Sequence, residues 1–311
     1  MSKRIAVIDC GTNTFNLLIA DLEEGNWKTV FNTKQAVKLG QGGFSKEGIR
    51  KERYLVGMDA LKSHRETILN YQVDDTFAFA TSALREAGNG QRFVKEAAER
   101  FGIHIKLIDG DREAALIMKG VRQSLDLKGE TALIMDIGGG STEFIIANDT
   151  QLFWKESFPL GVSRLYEQLQ PQDPIEEEEV LSLKKHLSEV LLTLDQAVKE
   201  HSPVFLLGSS GSFDSIVDMA YFKWGGERNP LSNPVSMDHF NSLFDELIGS
   251  TKNERLLVPG LQPIRADFMV IAMIMIKFTL ERYNLNRIHQ SNYALKEGVL
   301  FELAQKAAET E

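Results

Sequence analysis

The sequence is poor in cysteine, in long apolar runs and in positive charge, and each shortage removes a class of protein. Cys10 is the single cysteine, so no internal disulfide can form, and such sparing use fits a reducing compartment. A cytoplasmic setting is expected. After Lys3-Arg4 the apolar run Ile5-Ala6-Val7-Ile8 stops at Asp9, short of the ~7–15 residues of a secretory signal core. The most apolar stretch, Phe268 to Ile276, ends at Lys277 and falls well short of the ~18–20 residues that cross a bilayer. It reads as a buried core helix, and no membrane is expected as a partner. Lys and Arg number 35 against 44 Asp and Glu, a net charge of −9, which opposes nonspecific binding to nucleic acid or anionic lipid. An anionic small-molecule substrate stays open, because screening confines a surface charge to ~8–10 Å and local donors decide. The six histidines show no metal-ligand spacing, and no low-complexity tail is visible.

What is present is a globular composition, 43% hydrophobic and 25% charged, in a chain long enough that two cores are expected. It also contains a repeat. Ile8-Asp9-Cys10-Gly11-Thr12-Asn13-Thr14-Phe15-Asn16-Leu17-Leu18-Ile19-Ala20 lies over Met135-Asp136-Ile137-Gly138-Gly139-Gly140-Ser141-Thr142-Glu143-Phe144-Ile145-Ile146-Ala147 at a constant offset, with Asp, Gly, hydroxyl and apolar classes matched. In both copies an apolar strand enters an Asp-x-Gly turn and a second apolar strand leaves it, the pattern of a hairpin. Between the copies, Leu55, Met58 and Leu61 recur at helical spacing within 45–71, 76–80 reads as a strand, 92–101 as a helix, 103–108 as a strand and 112–125 as a helix. After the second copy, Pro171-Gln172-Asp173-Pro174 marks a loop, and the acid-rich start at Glu176 opens one long helix expected to run to about Lys199. Val204 to Leu207 reads as a buried strand running into Gly208-Ser209-Ser210-Gly211-Ser212, with a helix after it. Residues 225–234 read as a Gly, Pro and Asn-rich mobile loop, 265–283 as the apolar helix and 293–308 as the last one. The alternation of strand and helix gives an α/β class.

The two hairpin turns carry the chemistry. Successive backbone N–H groups in a Gly-rich turn form a concave anion site with no side chain in the way, and phosphate is its natural guest. Gly11, Thr12, Asn13 and Thr14 in the first copy and Gly138, Gly139, Gly140, Ser141 and Thr142 in the second are the candidate phosphate-binding residues. A third set, Gly208, Ser209, Ser210, Gly211 and Ser212, offers amides at a helix N-terminus. Asp9 and Asp136 could hold magnesium directly or through waters. The plain alternative for each hairpin is a turn whose glycines only permit the bend, and for the third loop a small-residue turn that allows close packing. Arg85 follows an apolar strand and offers forked donors suited to phosphate oxygens, or else pairs with Glu86. Lys51, Arg53, Lys184, Lys185 and His186 could line a track for a polyanion or be solvated helix faces. Cys10 is expected to be a buried small hydrophobe.

Paired Asp-x-Gly hairpins in a duplicated α/β chain resemble the sugar kinase, Hsp70 and actin superfamily. Within it, Ile8 to Thr14, Ala80 to Asn89, Gly110 to Ile117, Asp136 to Glu143, Arg265-Ala266-Asp267 and Leu295 to Leu300 resemble the Ppx/GppA family of exopolyphosphatases and guanosine pentaphosphate phosphohydrolases, almost end to end. The resemblance implies a duplicated actin-like (ribonuclease H-like) ATPase-type fold, two domains around a central cleft. Domain I would be 1–122 plus about 292–311, and domain II 123–291. It implies magnesium-assisted hydrolysis of the terminal phosphate of inorganic polyphosphate, with guanosine pentaphosphate as the rival substrate.

Glu113 matches the second glutamate of the family's Gly-x-Glu-Glu-Ala stretch, which by that resemblance is the base that activates water. The first glutamate of the stretch is Arg112 here, a departure. The implied catalytic set is Glu113, Arg85, Asp136 and Glu143, and the implied Mg2+ ligands are Asp9, Asp136 and Glu143. Asn16 stands where the second copy has Glu143, an asymmetry that favours one active site over two. A kinase and a non-catalytic phosphate or alarmone sensor of the same superfamily are the rival readings. The chain ends soon after Leu300, without the further C-terminal helical domains of longer family members, so a preference for shorter chains is expected. Homodimers are common in the family, and the resemblance allows one here.

Overall fold

The structure is a computed structural model that describes residues 3–23, 25–42 and 48–310. The chain divides into two compact units, 1–120 with 295–311, and 121–294. The first holds β1 (Lys3–Cys10), β2 (Thr14–Glu23), β3 (Asn26–Ala36), α1 (Lys51–Asn70), β4 (Asp75–Ala80), α2 (Ser82–Glu86), α3 (Gly90–Phe101), β5 (Ile105–Leu107) and α4 (Gly110–Val121). Its sheet runs in the order β3-β2-β1-β4-β5. The β1–β2 and β2–β3 pairs are antiparallel, while β1–β4 and β4–β5 are parallel. Ile5 to Ile8 are buried throughout, which is why β1 reads as an unbroken apolar run rather than an alternation. The core gathers Phe15, Leu17, Ile19, Met58, Leu61 and Phe93, with edge-to-face ring contacts from Phe93 to Phe15 at 6.1 Å and to Tyr54 at 5.0 Å.

The second unit holds β6 (Ala132–Ile137), β7 (Thr142–Ala147), β8 (Leu152–Phe158), α5 (Val162–Leu169), α6 (Glu177–Val190), α7 (Leu192–His201), β9 (Phe205–Ser209), α8 (Gly211–Trp224), β10 (Ser232–Val235), α9 (Met237–Ile248), α10 (Lys252–Arg255), α11 (Met269–Arg282) and β11 (Ile288–Ser291). Then α12 (Leu295–Thr310) returns to the first unit and packs on β1, β2 and β3. The second sheet runs β10-β11-β9-β6-β7-β8. Without β10, it has the strand order of the first sheet and the same pairing senses. The sequence repeat is therefore a repeat of the whole α/β fold, each copy around its own core.

Several element boundaries differ from the sequence reading. The helix expected within 45–71 begins at Lys51, and residues 45–47 lie outside the described residues. The helix expected over 112–125 starts two residues earlier and stops at Val121. Asp109 starts it, its side chain accepting from Arg112 N at 2.8 Å and its carbonyl from Glu113 N at 3.0 Å, as an N-cap does. The single helix expected over 176–199 is two, broken at Leu191 (φ −90°, ψ 24°). Leu183, Leu187 and Leu191 are buried every four residues, then Leu194 and Ala197 every three. Mixed spacings of four and three keep this stripe on one side, so both helices pack on the same core and the break lies in the backbone at Leu191.

The apolar helix expected over 265–283 starts only at Met269, because Pro263–Arg265 form a separate 3-10 turn. The loop expected over 225–234 ends in a strand. Ser232–Val235 is a strand, Arg228 pairs with Asp218 and donates to Asn292 Oδ1 at 2.7 Å, and Asn233 Oδ1 accepts from Asn229 N at 2.7 Å. Among the described residues, no helix is long and apolar enough to cross a membrane.

His64 on α1 is fully buried, and burial pulls its imidazole down to about 4. An unfolded chain takes up that proton near its ordinary value of 6.5, the folded chain only near 4, so stability is lost as pH falls through this window. Urea unfolding is expected to show about 3 kcal/mol of this loss between pH 6.5 and 4. The difference should vanish in His64→Leu, measured in parallel.

Candidate active site

In the first unit, β1 and β2 pair so that Asp9 faces Asn16 across the ladder, and Asn16 Nδ2 donates to Asp9 Oδ2 at 3.0 Å. Burial pushes the Asp9 carboxyl above its ordinary range, against the pull of the Lys296 charge and the Asn16 bond. The turn between them is closed by Gly11 N donating to Thr14 O at 3.0 Å. A strap that follows β3 holds its carbonyls: Thr12 O accepts from Gly40 N at 3.3 Å, and Asn13 O from Val37 N at 2.9 Å and Lys38 N at 3.0 Å. A trans peptide sets its N–H opposite its C=O, so the amides of Asn13 and Thr14 face away from the strap, as an anion nest requires. The Thr12 hydroxyl lies 3.3 Å from Ser82 Oγ on α2 and is buried.

Arg85 and Glu113 come together in this unit. Arg85 Nη1 donates to Ile108 O at 2.7 Å and lies 3.9 Å from Glu113 Oε2, with Glu86 at 3.7 Å from Nη2. The carboxylate pairing expected for Arg85 is thus present, to Glu86 and also to Glu113. Glu113 sits in the first turn of α4 and is buried. Arg112 turns the other way, to Glu302 of α12, which also accepts from Lys119. Burial opposes ionisation of Glu302, but those two donors hold it at about 2. The departure at Arg112 is therefore a helix-to-helix ion cluster.

The second unit repeats the closing hydrogen bond of the turn. Asp136 faces Glu143 across β6 and β7, and Gly138 N donates to Ser141 O at 3.0 Å. The segment after β8 now supplies the strap. Gly138 O accepts from Val162 N at 3.0 Å, Gly139 O from Ser163 N at 2.9 Å and Arg164 N at 3.1 Å, and Gly140 O from Arg164 Nε at 2.8 Å. All three carbonyls are held on one side, so the amides of Gly139, Gly140 and Ser141 face the other. The Thr142 hydroxyl is spent on Leu160 O at 2.8 Å. Ser157 Oγ donates to Glu143 Oε1 at 2.6 Å.

At the third loop, Ser209 ends β9 and donates to Asp136 Oδ2 at 2.5 Å, while Ser210 donates to Ile137 O at 2.9 Å from a left-handed φ of 69°. These two serines brace the end of β6. Gly211 and Ser212 form the first turn of α8. A Cβ at Gly208 would strike the Phe213 ring at 2.0 Å, and one at Gly211 the Arg265 guanidinium at 1.5 Å, so both glycines are closely packed. Of the basic residues considered for a track, Lys184 pairs with Glu281 at 3.3 Å and Lys185 with Glu189 at 4.0 Å.

Sequence reasoning missed Ser157, Gly161 and Arg164. Only Gly161 left a signal, Pro159-Leu160-Gly161 breaking a strand just before a helix start. Among the described residues no cluster of three or more His, Cys, Asp or Glu could hold a metal. Asp136 and Glu143 nevertheless fit magnesium, which takes one or two carboxylates and keeps its remaining places for waters and phosphate oxygens. They are buried hard-oxygen neighbours on one ladder rung.

Comparison with known proteins bears on the family and the fold. The family model described as "Ppx/GppA phosphatase family" matches residues 18–307. The crystal structure of an exopolyphosphatase from Cytophaga hutchinsonii is 37% identical, covers 98% of each chain and superimposes with a TM-score of 0.95. A Haemophilus influenzae protein provisionally named an exopolyphosphatase is 26% identical over 301 residues, 97% of this chain and 91% of its own. The Aquifex aeolicus member of the Ppx/GppA family, 23% identical over 99% of each chain, has a TM-score of 0.80 and an actin-like fold in common.

Gly161 has φ −72° and ψ 146°, a conformation open to any residue, yet a Cβ there would lie 2.3 Å from backbone atoms of Gly139 and Gly140. Gly161→Ala is expected to force the turn and α5 apart and cost roughly 1–3 kcal/mol, as overpacking does. Chemical denaturation of the variant beside the native protein measures it.

Proposed function

Because the chain belongs to the Ppx/GppA phosphatase family, we propose that this phosphoanhydride hydrolase is an exopolyphosphatase, releasing the terminal phosphate of inorganic polyphosphate with Glu113 as general base. The observation that carries the reading is the buried Glu113 at the head of α4, held beside the Arg85 guanidinium at 3.9 Å, in a unit that also carries an amide-lined turn. The likeness to the Cytophaga exopolyphosphatase over nearly the whole chain supports it.

In this mechanism Glu113 accepts a proton from water as the water oxygen bonds to the terminal phosphorus. The bridging P–O bond breaks, and the chain leaves one phosphate shorter. Arg85 and backbone amides stabilise charge on the equatorial oxygens, since phosphoryl transfer depends mainly on placement and electrostatics. Asp136 and Glu143 would hold Mg2+. Asp9, already answered by Asn16 and the Lys296 charge, is the weakest of the three ligand candidates. The ion when bound neutralises phosphate charge and orients the terminal group. Gly208, Ser209, Ser210, Gly211 and Ser212 serve the site by bracing Asp136 and opening α8.

Phosphate release from long-chain polyphosphate, tripolyphosphate, guanosine pentaphosphate and ATP tests the assignment, with magnesium and with EDTA. Preferential, magnesium-dependent release from polyphosphate is expected. Preference for guanosine pentaphosphate would move the substrate to the guanosine nucleotide, and no release from any of the four would overturn the hydrolase reading. Glu113→Gln is expected to keep the native melting curve and lose about 10²–10⁴ in kcat; unchanged turnover would remove Glu113 as the base.

A further inference from the structure

The two turns differ in what holds their last carbonyl. In the first unit Asn13 O accepts two backbone amides, Val37 N and Lys38 N. At the matching position of the second unit, Gly140 O accepts the side chain of Arg164 through Nε at 2.8 Å. The other two carbonyls of that turn, Gly138 O and Gly139 O, are held by backbone amides of residues 162–164. Those bonds survive any side-chain change that leaves the backbone in place. The Gly140–Ser141 peptide is thus the one whose direction depends on a side chain. It also follows a glycine, which rotates at little steric cost. A flip there would turn the Ser141 N–H away and present a carbonyl oxygen to any bound anion.

We infer that Arg164 is a positioning residue. By holding Gly140 O it fixes the Ser141 amide as a phosphate donor, and it controls affinity for polyphosphate through the turn rather than by acting on the reacting atoms. This rests on the reading of 138–141 as a phosphate-binding turn. Nothing in the inference needs Arg164 to be essential for folding, because α5 (Val162–Leu169) starts from backbone bonds to Gly138 and Gly139 that do not involve its guanidinium.

The test compares the native protein, Arg164→Ala and Arg164→Lys. Protein labelled with 15N-glycine and 15N-serine is titrated with tripolyphosphate in EDTA. The Ser141 amide should shift on binding in the native protein and stay unmoved in Arg164→Ala, with affinity weaker by about tenfold, the worth of one lost donor. Arg164→Lys, which keeps a charge and a single donor, should fall between. In turnover, KM for tripolyphosphate should rise by about tenfold, with kcat within about threefold of native and a melting temperature within about 2 °C.

A Ser141 amide that shifts equally in native protein and Arg164→Ala, or that does not shift in the native protein at all, would overturn the inference. So would a loss of kcat at unchanged KM. If Arg164→Ala does not fold, the same comparisons on Arg164→Lys decide. Should the native protein release phosphate from no substrate while the Ser141 shift behaves as expected, the hydrolase reading fails and the role of Arg164 stands.

Discussion

A carbonyl that is already hydrogen-bonded fixes where its neighbour's N–H points, because the peptide between them is planar and trans. Both halves of this protein are arranged around that constraint. Each antiparallel hairpin ends in a tight turn, and each turn would be free to rotate its peptides without the strap that follows the third strand. Residues 37–40 and 162–164 reach the turns because β3 and β8 run antiparallel to β2 and β7. They leave those strands beside the turns they serve. The outcome in each unit is a row of backbone N–H groups facing away from the strap.

The halves share this scaffold but not its chemistry. Glu143 faces Asp136 in the second unit, where Asn16 faces Asp9 in the first. The first unit instead contributes Glu113 and Arg85 from the segment after β4. The placement of Glu113 is supported from outside the site by Arg112, Lys119 and Glu302, which tie α4 to α12, and by Gly298, where a Cβ would meet Leu116 O at 1.9 Å. Asn16 and Glu143 thus stand on the same rung of two like hairpins.

Much of this was legible in the sequence, and the exceptions have causes. The central strands β1 and β6 are buried on both faces and stand out as apolar runs. The edge strand β3 carries exposed Lys28, Thr29, Asn32 and Lys34, leaving no apolar period to read. The turns declared themselves by duplication, whereas Arg164 could not, since its partner is a backbone oxygen that only the fold brings within reach across 24 residues. Glu113 drew attention through family likeness alone, because a glutamate in the first turn of a helix is ordinarily a solvated, dipole-matched residue. Gly208 and Gly211 drew attention as phosphate-loop glycines, and each also lies against a side chain, the Phe213 ring and the Arg265 guanidinium. Composition cannot separate those two uses of glycine.

The return of α12 to the first unit sets an order of events on the ribosome. Residues 121–294 form a continuous segment with its own core and sheet, so that segment can finish folding while α12 is still being synthesised. The first unit begins earlier in the chain but lacks the helix that covers β1, β2 and β3 until residues 295–310 emerge. Contacts between such distant segments form slowly. The half that carries Glu113 is therefore the later to mature, and Glu302 and Gly298 on α12 complete it.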